Sequence, residues 1–226
     1  EIQYKQLFQT WKTSPLAYEA RMMAGRAAVR WAKWDNAIEH FISLTSDTNC
    51  PTELQMQALF ARGGALMLSV TASTNKLEKW DEARQVFLAV TKLYPNNELT
   101  AAAWGEIGNC ALQMAATDPT YYNTASNAYQ KAIMFPGASG AVRSQARVGL
   151  AIVFEKQAAL TSGAAATDLL KQGLELYRDV YLGKPEADGF WRRKAGLEAA
   201  RLSELLNEWP QALELYRDML RQKLLP

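Results

Sequence analysis

The sequence predicts an all-α fold, an array of about five helix pairs behind one leading helix. Three observations predict it: a short motif returns five times, apolar residues recur at helical spacing after each copy, and prolines stand where the units close. The motif is an aromatic, two spacers, a small residue, three spacers and a second aromatic. It reads Trp34…Ala37…Phe41, Trp80…Ala83…Phe87, Tyr122…Ala125…Tyr129 and Trp209…Ala212…Tyr216, with a weaker copy at Leu170…Gly173…Tyr177. The small residues stand 46, 42, 48 and 39 positions apart, which is room for two helices and their turns and the mark of a repeat array.

The elements follow in chain order. Residues 1–13 read as a lone leading helix with Leu7, Phe8 and Trp11 on one face. It is either the second helix of a preceding repeat or a cap on the end of the stack, and the former reading is preferred. Five units follow, at about 17–51, 52–97, 98–138, 139–187 and 188–226, in a single domain. The second helix of each carries the motif and continues its apolar face, as in Ala37, Ile38, Phe41 and Ile42 or Ala83, Val86, Phe87 and Val90. Pro51, Pro95, Pro136, Pro185 and Pro226 sit at the unit ends, where a residue without an N–H stops a helix. The first helix of each pair carries small residues: Gly25, Gly63 or Gly64, Gly108, Gly149 and the Ala199-Ala200 pair. A glycine inside a helix costs up to about 1 kcal/mol against alanine, so its recurrence points to close backbone approach. The segments 115–119 and 160–166 read as lengthened turns inside the third and fourth pairs.

These residues resemble the tetratricopeptide repeat, with Trp104, Ile107, Gly108, Ala111, Ala125, Tyr129, Ala132 and Pro136 as the best-matched unit. The resemblance covers about residues 17–226. It implies a right-handed α-α superhelix, and the longer spacings look most like divergent bacterial repeats of cell-envelope assembly and secretion proteins. The family's spacing of twelve between the two small residues holds in the first and fifth units only.

Composition narrows the functions. The 226 residues carry 25 basic and 23 acidic side chains, net +2, a balance without the electrostatic footprint of a nucleic-acid binder. No run of about 18 apolar residues exists to span a membrane. Cys50, Cys110 and the single His40 make no zinc pattern. Cys110 reads as a buried small hydrophobe, and a Cys50–Cys110 bridge is left open. The chain starts at Glu1 without Met or a signal peptide and reads as a piece of a larger protein. Pro136-Gly137-Ala138-Ser139-Gly140 matches neither a nucleophile elbow nor a phosphate loop and reads as a turn. His40 has no constellation around it and reads as structural or exposed. The chain therefore reads as a non-enzyme, without cofactor or metal.

In the family the first helices line a concave groove. Carried over, groove positions lie six and three residues before the small residue and one, four and five after it. With Gly25, Gly108, Gly149 and Ala200 as references, the candidate partner-binding residues are Met22, Arg26, Arg30, Asn109, Gln113, Arg143, Phe154, Lys194 and Arg201. An arginine fork suits carboxylates. The family's clamp for a peptide C-terminus is not predicted, because Gly105 and Glu106 occupy two of its positions. The resemblance implies a scaffold that holds a peptide or partner segment. The alternatives are a structural module that self-associates through its terminal helices (Leu7, Phe8 and Trp11, or Tyr216 and Leu220) and a small-ligand sensor.

Overall fold

The computed structural model describes residues 1–11, 14–183 and 188–224. Each expected interval holds two helices. They are α1 (Ile2–Thr10), α2 (Pro15–Arg30), α3 (Trp34–Ser46), α4 (Thr52–Ser69), α5 (Lys76–Leu93), α6 (Glu98–Met114), α7 (Tyr121–Met134), α8 (Gly140–Ala158), α9 (Gly163–Leu182), α10 (Gly189–Leu205) and α11 (Trp209–Arg221). A 3-10 turn, Val70–Ala72, follows α4, and no strand occurs among the described residues. Pro185 and Pro226 lie outside the described residues, as does the end of the leading helix expected at 1–13.

The helix starts follow from local chemistry. The side chains of Ser14, Asn75, Asn97, Ser139 and Asp188 accept a hydrogen bond from a first-turn N–H of α2, α5, α6, α8 and α10, satisfying a donor the helix itself leaves open. Asn75 Nδ2 also donates to Glu78 Oε2 at 2.7 Å. The first and fifth pairs close through the same turn. Ala32 and Asn207 take φ of 55° and 60°, and the next N–H reaches back five residues, Lys33 to Ala28 and Glu208 to Ser203. This left-handed cap is compact, and these are the two units that keep the spacing of twelve. The third pair has the lengthened turn expected after Met114. The fourth does not, since α9 begins at Gly163 and takes in Ala164-Ala165-Ala166. Three alanines are among the strongest helix formers, so the extra residues lengthen the helix instead.

The chain forms two compact units, Glu1–Thr117 and Asp118–Pro226. The division falls in the turn between α6 and α7. In the first unit each helix packs on the next, and α2 also meets α4 and α4 meets α6. In the second unit the helices again pack in order, and α8 also meets α10. First helices thus neighbour one another within each unit. Among the described residues no close backbone packing joins α3 to α5 or α9 to α11, although the Tyr181 hydroxyl of α9 donates to Asp218 Oδ2 of α11 at 2.6 Å.

Aromatic rings fill these layers. Phe41, Phe87, Tyr129 and Tyr177, each four residues past the motif's small residue, are at most 1% exposed. A Cβ built at Gly25 would stand 2.5 Å from the Phe41 ring, and one at Gly63 2.6 Å from Phe87. One at Gly64 would meet nothing, so Gly63 is the close-approach residue of the second pair. In the second unit two of the glycines reach the preceding helix, Gly196 together with Met219 of its own pair. Gly149 of α8 seats Tyr129 of the preceding α7, and Gly196 of α10 seats Tyr181 of the preceding α9.

The leading helix docks through one side chain of the three expected. Phe8 is buried among Ala17, Ala20 and Ala24 of α2, with the Arg21 guanidinium 4.5 Å over it. Leu7 and Trp11 are exposed instead: Leu7 stands about 100° round the helix from Phe8, and Trp11 is the C-cap, past the last helical residue Thr10. Glu1 anchors the same end. Its carboxylate meets Lys5 at 2.9 Å, Lys33 at 3.4 Å and Asn36 at 3.3 Å. The Lys5 hydrogen bond leads in holding its pKa down to about 2, against the opposing effect of burial. His40, 3.8 Å from Glu1 and edge-on to Phe8, is held below its ordinary value by burial first and the Lys5 charge second.

Both shifts have the same consequence under acid. The unfolded chain binds protons that the folded one resists, so stability falls with pH. The His40 contribution fades as pH drops below 6.5, its ordinary value, and the Glu1 contribution fades between 4.5 and about 2. Amide exchange in α1 is expected to accelerate, relative to the intrinsic rate, as pH falls from about 7 to 5, and His40→Gln is expected to flatten that step. Protection of α1 that holds constant across that range contradicts the assignment.

Candidate functional site

The nine residues proposed from the sequence occupy different places. Met22 is 3% exposed and packs with Phe41 in the core, out of reach of a ligand. Arg26 and Arg30 are exposed on α2, and Arg26 Nη2 lies 3.5 Å from Gln57 Oε1 of α4. Asn109 donates to Glu106 Oε2 at 2.9 Å, with Gln113 exposed one turn on. Arg143 is committed elsewhere. Its guanidinium donates to the carbonyls of Ile133, Phe135 and Pro136 at 3.3, 3.1 and 3.2 Å, closing the C-terminal end of α7, where unpaired carbonyls and the helix dipole favour a cation.

In the second unit α8 and α10 enclose a cleft of about 420 Å³, walled by Ile152, Glu155 and Lys156 of α8 and Ala159 just beyond it, Tyr177 of α9, and Lys194, Glu198 and Arg201 of α10. Lys194 and Arg201 are the two proposed residues that the fold brings together. Phe154 lies on a separate cleft of about 410 Å³ with Leu150 and the α9 residues Lys171, Gln172, Glu175, Leu176 and Asp179.

One carboxylate organises the α8–α10 cleft. Glu155 accepts from the Tyr177 hydroxyl at 2.8 Å and from Arg201 Nη2, so it ties three helices. Arg201 Nε also donates to Glu198 Oε2 at 2.7 Å. Burial, reinforced by the Glu155 charge, pushes the Tyr177 hydroxyl well above its ordinary range, so it stays a donor. Burial disfavours the Arg201 charge, but the two carboxylates outweigh it and raise its pKa. Arg201 pairs with both Glu155 and Glu198, which leaves that network with one negative charge in excess. Lys156 and Lys194 enter none of the ion pairs among the described residues, and Lys194 lies instead 5.3 Å over the Trp191 ring. The cleft therefore presents two ammonium groups beside a fixed charge network.

The sequence reading missed Glu155, Lys156 and Tyr177, and the reason is a choice of reference. It counted groove positions in the fourth unit from Gly149, but Gly149 faces the preceding helix. Within the fourth pair the close approach is Gly173 on Ala151, where a Cβ at Gly173 would stand 3.3 Å from the Ala151 carbonyl oxygen. Counting one, four and five from Ala151 gives Ile152, Glu155 and Lys156, the cleft wall.

No residue offers a reactive thiol. Cys50 and Cys110 are free and buried, so the bridge left open by the sequence is not formed. Burial pushes the Cys110 thiol up to about 12 and raises Cys50 as well. Among the described residues no group of three or more His, Cys, Asp or Glu stands ready for a metal ion, and no helix is long and apolar enough to cross a membrane.

Fold and site together define a class: an all-α protein of consecutively packed helix pairs, with a charged cleft between neighbouring first helices. No family model and no curated protein matches the chain.

Proposed function

We propose that the chain is a non-catalytic scaffold that holds a peptide or partner segment on its first-helix surface, and that it is a divergent tetratricopeptide-like array with a right-handed superhelical path. The observation that carries the reading is the α8–α10 cleft. Two lysines without ion-pair partners, Lys156 and Lys194, sit beside Arg201, which Glu155 and Glu198 hold in place. With Glu155 and Glu198 bound to Arg201, the five charged side chains of the cleft sum to one positive charge, and the two ammonium groups favour an acidic segment. The neighbouring first helices α2 and α4 carry a related pairing, Arg26 with Gln57, at groove positions of the first two units.

Selection from a displayed random-peptide library tests this. Wild type is expected to enrich peptides with Asp or Glu, and Lys156→Glu/Lys194→Glu is expected to lose them by tenfold or more, with helicity unchanged. Recovery of the same peptides by both forms contradicts the reading. The small-ligand alternative predicts no enriched peptide class at all.

A further inference from the structure

The wall that α10 gives to the cleft is a row of three charged side chains. Lys194, Glu198 and Arg201 are spaced by four and three residues. That spacing sets them within about 60° of one another around the helix and about 10 Å apart from first to last. A negative charge therefore stands in the middle of a cationic row. In the free protein both carboxylates hold Arg201, but they are not themselves held alike. Glu155 comes from α8, also accepts the Tyr177 hydroxyl at 2.8 Å, and leaves 18% of its side chain exposed. Glu198 comes from the preceding turn of α10 and leaves 33% exposed. Arg201 Nε, at 2.7 Å, is its one side-chain partner among the described residues. An exposed pair three residues apart on one helix contributes little to stability. Glu155 thus anchors the guanidinium, and Glu198 covers it.

We infer that Glu198 is an internal stand-in for a partner's carboxylate. It occupies Arg201 Nε in the free protein and gives that donor up to an Asp or Glu side chain of the bound segment. The inference rests on the reading of the cleft as a site for an acidic segment. The exchange keeps Arg201 paired throughout: one N–H···O bond breaks, one forms, and the released Glu198 turns to water. Glu155 stays on Nη2, so the guanidinium keeps its place while its second carboxylate changes. A segment without a carboxylate has nothing to set in place of Glu198 and leaves the pair closed. Glu198 thereby makes binding conditional on an acidic side chain, by charge repulsion against a segment that cannot replace it. It also holds the affinity down, because only the uncovered fraction is competent to bind.

Fluorescence anisotropy with labelled hexaglutamate, which offers carboxylates at every spacing, tests it at about 0.15 M salt. Glu198→Gln is expected to bind the peptide about fivefold more tightly than wild type, the gain from removing a weak cover. That gain runs through Arg201. It is expected to fall below about twofold in an Arg201→Gln background and to persist in a Lys156→Gln/Lys194→Gln background. Where Arg201→Gln lowers helicity, the lysine background carries the test alone, since neither lysine enters an ion pair among the described residues. A gain that survives without Arg201, or vanishes without the lysines, makes Glu198 a through-space charge only and overturns the inference. So does Glu198→Gln that binds no more tightly than wild type, when Lys156→Glu/Lys194→Glu does weaken binding. If that lysine variant binds hexaglutamate as well as wild type, or wild type does not bind it, the reading of the cleft itself fails.

Discussion

Phe87→Ala is expected to lower the stability of the first unit by about 3–5 kcal/mol, the range for truncating a fully buried ring whose cavity cannot collapse. Phe87 is 0% exposed. Its ring meets Phe60 edge-on at 5.2 Å and lies on the Gly63 backbone, and its helix packs on both α4 and α6. Removal therefore empties a space bounded by three helices. The loss should show as a lower urea midpoint with an unchanged slope. Phe190→Ala provides the comparison. That ring is 54% exposed and its removal is expected to cost well under 1 kcal/mol. Equal losses from the two substitutions would contradict the role assigned to the motif's second aromatic.

Gly63→Ala and Gly149→Ala are expected to destabilise by about 1–2 kcal/mol each. Alanine gains up to about 1 kcal/mol of helix propensity, but overpacking a closed site costs about 1–3 kcal/mol. The new methyl would meet the Phe87 ring at 2.6 Å in one case and overlap the Tyr129 ring in the other, and both rings are fully buried. Gly64→Ala separates the two effects. It lies on the same helix with nothing within 4 Å of the new Cβ, so only the propensity gain remains and the protein should become more stable. The double substitution Gly63→Ala/Phe87→Leu should cost less than the sum of its parts, as expected for residues that share one space. A stabilising Gly63→Ala would show that the close approach is not a packing constraint.

These two predictions rest on features legible in the sequence. The motif aromatics and the small residues announce themselves by repetition, because every unit must bury the same faces. Helix ends were legible where proline forbids continuation, as at Pro95 and Pro136, while the caps at Asn97 and Ser139 emerged only in the structure. What stayed hidden was which neighbour a small residue approaches. Gly25 serves its own pair, whereas Gly149 serves the preceding helix and Gly196 meets both neighbours, Tyr181 of α9 and Met219 of α11. The two cases are alike in sequence and differ only in three dimensions. That ambiguity displaced the predicted groove of the fourth unit by two residues and hid Glu155 and Lys156. Arg143 was misplaced for a related reason: its charge suggested a ligand, but the nearest unsatisfied acceptors were the carbonyls ending α7. Phe8 and Trp11 are equivalent by hydrophobicity, and only the track of α1 over α2 and its end at Thr10 separate them.

The proposed binding surface is that of neighbouring first helices, and in the second unit it is the charged α8–α10 cleft. Amide hydrogen exchange on the second unit, with and without a selected acidic peptide, tests it most directly. Slowed exchange is expected in the α8 turn around Glu155 and Lys156 and in the α10 turn around Lys194, Glu198 and Arg201, with α11 unchanged. Protection confined to the exposed face of α9 or to α11, with α8 and α10 unaffected, would contradict it.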